Sequence, residues 1–263
     1  MNMSEEDKIL YDVKARVATI TINRPEKAHA FNVDMLKKMH GMLLKADEDE
    51  DVKCILIKST EQRFFCAGYD LKEIQGEPEK IAGITEMGRK VNETILLIKK
   101  PVITVIQGIA VGFGVLMTLA SDLRIFADRP KEELYLRLPE IAISAFPQTG
   151  ATLLPLLGFG FTYGKRLLFT ADKVGLDELR NINFPTRIFP LDKLDLETKK
   201  FLKILTKRLT SFLFFIKSMS TIMNKAYIKS CFDLEDECGE IAYEKKTMKE
   251  LDDFIKELYK KYP

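Results

Sequence analysis

The chain has 263 residues, 46% of them hydrophobic and 30% charged, which is enough to bury a large core and unlike the composition of a disordered segment. Its 41 basic and 39 acidic residues are interspersed and leave a net charge of +2, excluding both the concentrated basic field of a nucleic-acid surface and the polybasic cluster of a membrane-surface protein. Cys54, Cys66, Cys231 and Cys238 form no CxxC pair and no disulfide framework, and His29 and His40 are the only imidazoles, so a zinc site is excluded and a reducing cytoplasmic setting is expected.

The first ten residues are acidic and lack the apolar core of a secretion signal. Residues 8–23 alternate apolar and polar side chains and predict two strands. Pro25 breaks the pattern, and Asn32 is placed to cap a helix over 33–48 with Met35, Leu36, Met39, Leu43 and Leu44 on one face. CILIK at 54–58 is a short apolar strand, followed by a polar turn and FFCAGYDL at 64–71. Helical spacing of Ile81, Ile84, Met87, Val91, Ile95 and Ile98 predicts a helix over 78–99, stopping before Pro101. The uncharged run 101–121 carries Gly108 and Gly112 at GxxxG spacing, as a membrane-spanning helix would. Its β-branched VITVI, three glycines and polar Thr104, Gln107 and Thr118 instead predict a buried strand, a Gly-rich turn and a buried helix. DLRIFAD at 122–128 is another strand.

Strands alternating with helices of this length predict an α/β architecture of repeated β-β-α units. Beyond Pro139 strand signals thin out, and amphipathic helices are predicted over 219–229 and 236–259. The chain divides into a core of 1–190 and a helical C-terminal part of 191–263.

Phosphate-binding loops are excluded by spacing. Met117 stands where a dinucleotide fingerprint beginning at Gly112 needs its third glycine, and the run from Gly158 to Arg166 has one residue too many for GxxxxGK. No GxSxG or HExxH occurs.

Three segments carry chemistry: Asn23-Arg24-Pro25-Glu26-Lys27 leading to Ala30-Phe31-Asn32; Phe65-Cys66-Ala67-Gly68-Tyr69-Asp70-Leu71; and residues 100–114, ending in Val111-Gly112-Phe113-Gly114, with Asp122-Leu123-Arg124-Ile125 after it. Backbone N–H groups in a Gly-rich turn at a helix start can stabilise an enolate oxygen, and glycines at 68, 112 and 114 let backbone approach a ligand closely. Either turn alone reads first as an ordinary tight turn; the pair in this order reads as a site.

In order and spacing the three segments resemble the crotonase superfamily, the enoyl-CoA hydratase/isomerase family, over roughly residues 8–190. The resemblance implies a ClpP-like spiral of β-β-α units and an acyl-CoA thioester as substrate, so that coenzyme A is part of the substrate and no further cofactor or metal is needed. It also implies a homotrimer or homohexamer, with the C-terminal helices as lid or subunit contact. It makes the amides of Tyr69 and Phe113 the oxyanion donors, and puts Arg24 and Lys27 near the CoA phosphates. A solvated surface pair is the other reading of these two cations. Ala67, Gly68, Asp70, Leu71, Gly112, Gly114 and Leu116 line the substrate by the same resemblance, although Asp70 also serves as a cap for the following helix.

Hydratases of this family use two glutamates. Glu140, in Leu138-Pro139-Glu140-Ile141, matches the second, whereas Leu116 stands at the first and no acidic residue occurs between Gly108 and Ser121. One carboxylate suffices to move a proton from C2 to C4, which favours isomerisation of 3-enoyl-CoA to 2-enoyl-CoA with Glu140 as base. An apolar surrounding should raise its pKa. A hydratase with another acid and a catalytically silent acyl-CoA binder remain as alternatives. Gln148 stands where some relatives carry a carboxylate. His29 reads as structural, and Glu79, Glu86 and Glu93 as a solvated helix face. Phe212, Phe214, Phe215, Met219 and Met223 read as internal core or subunit contact.

Overall fold

The computed structural model describes residues 8–74, 78–242, 244 and 247–261. The chain enters as an antiparallel hairpin, β1 (Ile9–Lys14) and β2 (Val17–Ile22). Helix α1 (Val33–Glu48) begins where Asn32 Oδ1 accepts from the Met35 amide at 2.9 Å, the expected cap. Its buried face is Met35, Leu36, Met39, Leu43 and Ala46. Leu44, expected there, is 41% exposed, because one residue turns the helix by about 100° and carries it off that face.

The chain then passes through β3 (Cys54–Ser59), β4 (Phe64–Cys66), the single turn α2 (Leu71–Ile74), α3 (Pro78–Leu97), β5 (Val102–Ile106), β6 (Ile109–Val111), α4 (Phe113–Ala120), β7 (Leu123–Asp128) and β8 (Tyr135–Arg137). After α5 (Leu153–Phe159) and α6 (Phe161–Thr170) come β9 (Val174–Gly175), α7 (Leu176–Asn181) and β10 (Arg187–Pro190). The strands form two sheets, of order β1-β2-β3-β5-β7-β10 and β4-β6-β8-β9, and from β3 to β8 they fall into them alternately. From β2 to β10 the larger sheet is parallel. From β3 to β8 each unit lays one strand in each sheet before a helix returns the chain, the predicted spiral of β-β-α units, while α7 separates β9 from β10 in the last one. The stretch 101–121 is β5, β6 and the wholly buried α4, and no helix among the described residues is long and apolar enough to cross a membrane.

Four helices follow: α8 (Leu194–Thr206), α9 (Thr210–Ile222), α10 (Lys225–Ala242) and α11 (Met248–Lys261). Their boundaries correct the expected helices 219–229 and 236–259. A turn at Met223–Asn224, closed by Asn224 N donating to Thr221 O at 3.0 Å, interrupts an apolar periodicity that runs straight through it. Helix α9 is inverted relative to a surface helix. Its buried residue is Lys217, while Phe212, Phe215, Met219 and Met223 are 61–84% exposed and Phe214 is half-buried, so this cluster is not internal core of the chain.

Three buried lysines hold helix ends. Lys53 Nζ donates to Thr206 O and Arg208 O at the end of α8, both at 2.9 Å. Lys100 Nζ donates to Ala46 O at 2.7 Å and to Asp49 O at the end of α1. Lys217 Nζ donates to Ile95 O at 2.7 Å and Lys100 O at 3.0 Å beyond α3, and pairs with Asp122 at 2.7 Å. An ammonium at these carbonyls meets both their hydrogen-bonding need and the negative end of the helix dipole. Burial still pushes Lys100 and Lys217 below the ordinary lysine range.

Candidate active site

Two turns from different strands of the smaller sheet meet. β4 ends at Cys66, and the chain reverses through Gly68 at φ +95°. Phe31 N donates to Gly68 O and Asp70 N to Phe31 O, both at 2.8 Å, while Ala67 N donates to Ala28 O at 3.0 Å. Segment 28–31 thus fixes the turn from outside. β6 runs into Gly112, at φ +51° and ψ −120°, and Phe113 opens α4. That conformation is open to glycine and strained for other residues. Gly112 N is held by Arg137 O at 2.9 Å. The turns touch: a Cβ on Gly68 would stand 3.0 Å from Val111 O and 3.5 Å from Phe113 N. Gly114 lies against β4, where a Cβ would come within 2.6 Å of Cys66 O. Among the described backbone hydrogen bonds, neither the Tyr69 nor the Phe113 amide appears as a donor, and Phe113 N, on the first turn of α4, lies at the positive end of the helix dipole.

Glu140 reaches the same place from β8. Pro139 starts a 3-10 turn, Glu140–Ile143, closed by Ala145 N donating to Glu140 O at 2.9 Å. The carboxylate points back at the Gly112 turn, with Oε1 3.5 Å from where a Gly112 Cβ would be. Burial pushes the Glu140 carboxyl up to about 7, against a smaller opposing effect from its own amide. Leu116 is 2% exposed, three residues into α4. The geometry therefore gathers Gly68, Tyr69, Gly112, Phe113 and Glu140.

The other expected residues are distributed differently. Arg24 is 5% exposed, paired with Asp70 at 3.0 Å and Glu73 at 3.2 Å, and donates to Ala30 O at 2.9 Å. It braces the Gly68 turn from beneath rather than facing solvent. Asp70 closes the single turn after it, with Oδ1 accepting from Lys72 N at 3.3 Å, as its capping reading requires. Lys27 and Leu71 are exposed, and Ala67 is half-buried. His29 is fully buried and accepts from Arg24 N through Nδ1 at 3.0 Å. Burial pushes this imidazole below its ordinary value, in keeping with a structural role. Glu86 pairs with Lys90 and Glu93 with Arg89, and Glu79 is exposed. Among the described residues no group of His, Cys, Asp and Glu side chains could hold a metal ion.

Sequence reasoning missed the side chains that anchor α10 behind the site. Glu235 is 3% exposed and accepts from the amides of Gly150 at 2.6 Å, Thr152 at 2.8 Å and Leu153 at 3.3 Å, and from the Thr152 hydroxyl. It caps α5 across the fold. Burial pushes its carboxyl up, opposed by these donors. Arg89 of α3 pairs with Asp233 and Asp236 of α10. No local pattern announces such contacts; for Lys217 alone there is a signal, a single cation inside the apolar run FLFFIKSM.

The sequence pattern of the enoyl-CoA hydratase/isomerase family matches residues 12–256. The chain is 32% identical to the Bacillus subtilis protein YngF, named for enoyl-CoA hydratase/isomerase activity, over 67% of each chain. It is 30% identical to the short-chain-enoyl-CoA hydratase of Clostridium acetobutylicum over 70% of this chain and 69% of that one. A crystal structure of a probable enoyl-CoA hydratase from Mycobacterium thermoresistibile superposes with a TM-score of 0.77 at 27% identity, covering 89% of this chain and 98% of that one. On its fold and on these matches the chain belongs to the enoyl-CoA hydratase/isomerase family.

Proposed function

We propose that this acyl-CoA enzyme isomerises 3-enoyl-CoA to 2-enoyl-CoA. The observation that carries the reading is one carboxyl, Glu140, held at about 7 beside the Gly112 turn, with a buried leucine at 116 where a second acid would stand. Glu140 as carboxylate takes a proton from C2 of the thioester. The resulting dienolate oxygen accepts from Tyr69 N–H and Phe113 N–H, each such donor being worth on the order of a hundredfold or more in rate. Glu140 then returns the proton to C4, leaving the double bond conjugated with the thioester. Ala67, Gly68, Gly112 and Gly114 form the turn walls, and the exposed Lys27 and Leu71 face the CoA moiety. Incubation with 3-hexenoyl-CoA tests this: the ultraviolet signal of a conjugated enoyl thioester is expected, and is absent with Glu140→Gln.

A second reading, hydration of 2-enoyl-CoA, is favoured by the names of the relatives, which include hydratases. Formation of 3-hydroxyacyl-CoA from crotonyl-CoA without isomerisation would establish it. Silence in both assays with retained thioester binding would make the chain a non-catalytic binder. The exposed apolar face of α9 supports assembly of the C-terminal part, 191–263, into a homotrimer or homohexamer.

A further inference from the structure

The two residues that offer amides to the site also carry large aromatic side chains, and these pack on each other. The Tyr69 and Phe113 rings are 5.0 Å apart and 18° from parallel, and Phe31 meets Phe113 edge-on at 5.2 Å. Tyr69 Oη and Thr149 Oγ1 share a hydrogen bond of 2.9 Å. The same hydroxyl lies in a notch of α3 at Gly88, where a Cβ would overlap it. A buried phenol needs both room and a polar partner, and here Gly88 supplies the room and Thr149 the partner.

Beyond that hydroxyl, Gly88 and Thr149 close the contact. Thr149 Oγ1 lies 3.5 Å from Thr85 O. Thr85 and Gln148, next to Thr149 in the chain, line a cavity of about 540 Å³ between α3 and α10, with Ile81, Ala82 and Gly239. Tyr69, Gly88 and Thr149 are not among the residues that line this cavity, so the ring fills the space between the Gly68 and Gly112 turns and the wall made by Gly88 of α3 and Thr149. The amide at position 69 does not require this side chain, since any residue provides an N–H.

Resting on the acyl-CoA reading above, we propose that Tyr69 determines acyl-chain length. Its ring fills the space between the oxyanion turns and the wall made by Gly88 and Thr149, so the site takes short acyl thioesters, and that space is what a longer chain enters once the ring is removed.

Calorimetric binding of the saturated thioesters butyryl-CoA and octanoyl-CoA tests this without turnover. The wild type is expected to favour butyryl-CoA. Tyr69→Ala is expected to shift the octanoyl-to-butyryl ratio of affinities on the order of tenfold towards octanoyl-CoA, the effect of moving about two methylene groups out of water. Tyr69→Phe, which keeps the ring and loses only the Thr149 bond, is expected to keep the wild-type ratio. Tyr69→Leu carries the same readout if the alanine variant does not fold. An unchanged ratio in a folded Tyr69→Ala or Tyr69→Leu that still binds butyryl-CoA overturns the role of Tyr69 and leaves the acyl-CoA reading standing. Absence of binding to either thioester by the wild type overturns both.

Discussion

Replacing Glu140 by Gln tests the base and its environment together, because the two consequences are read by different experiments. The change is nearly isosteric and removes only the ability to ionise. In the folded chain the carboxyl sits at about 7, against an ordinary value of 4.5. Below the lower value Glu140 is neutral whether the chain is folded or not, and the wild type and Glu140→Gln should be equally stable. As pH rises through the interval, the unfolded chain ionises freely while the folded chain must accept a buried charge. The wild type then loses stability, up to about 3 kcal/mol once pH exceeds the folded value. Urea unfolding at about pH 4.5 and about pH 8.5 should therefore show the variant gaining that amount over the wild type at the higher pH only. In the enzymatic assay the wild type should lose kcat/KM on the acid side with a midpoint near 7, since the base must be ionised, and the variant should show no turnover. A stability difference independent of pH would refute the burial argument. Turnover surviving in Glu140→Gln would refute the assignment of the base.

Three further outcomes are expected. Arg24→Ala leaves Asp70 buried without its cation and should cost about 3 kcal/mol in chemical denaturation; unchanged stability with weakened acyl-CoA binding would make Arg24 a ligand contact instead. Lys217→Met strips two carbonyls and Asp122 of their partner and should lower stability by a similar amount, about 3 kcal/mol, visible as a lower urea midpoint. Phe215→Glu combined with Met219→Glu places charges on the exposed face of α9 and should convert the assembled protein to monomer in sedimentation. A wild type already monomeric at the same concentration contradicts the assembly reading.

Asn32 and the face of α1 were readable because cap and periodicity lie within one element. The repeat of two strands and a helix was legible and the spiral was implied by the resemblance, although β8, β9 and β10, of two to four residues, are too short to show periodicity. The meeting of the Gly68 and Gly112 turns and the role of Glu140 after Pro139 were both implied by family resemblance. What stayed hidden is long-range polar pairing. Arg24 is expected near the CoA phosphates or in a solvated surface pair, yet the chain carries it under the Gly68 turn onto Asp70, 46 positions away in the sequence. Glu235 caps a helix some 80 residues earlier in the chain, and Tyr69 finds its notch at Gly88 only after α3 is docked.

Lys53, Lys100 and Lys217 are 7%, 1% and 4% exposed, and each keeps its amine turned inward on carbonyl oxygens. An amine in that position is shielded from electrophiles, whereas a surface amine such as that of Lys27 meets them freely. Amine-directed covalent labelling will therefore mark the outside of the molecule first and spare these three until the helix end each one holds comes undone. Read site by site in a mass spectrometer, Lys53 reports the release of α8, Lys100 that of α1, and Lys217 the lifting of α9 from the end of α3. The fold thus carries three chemical clocks for local opening, each tied to a different joint of the fold.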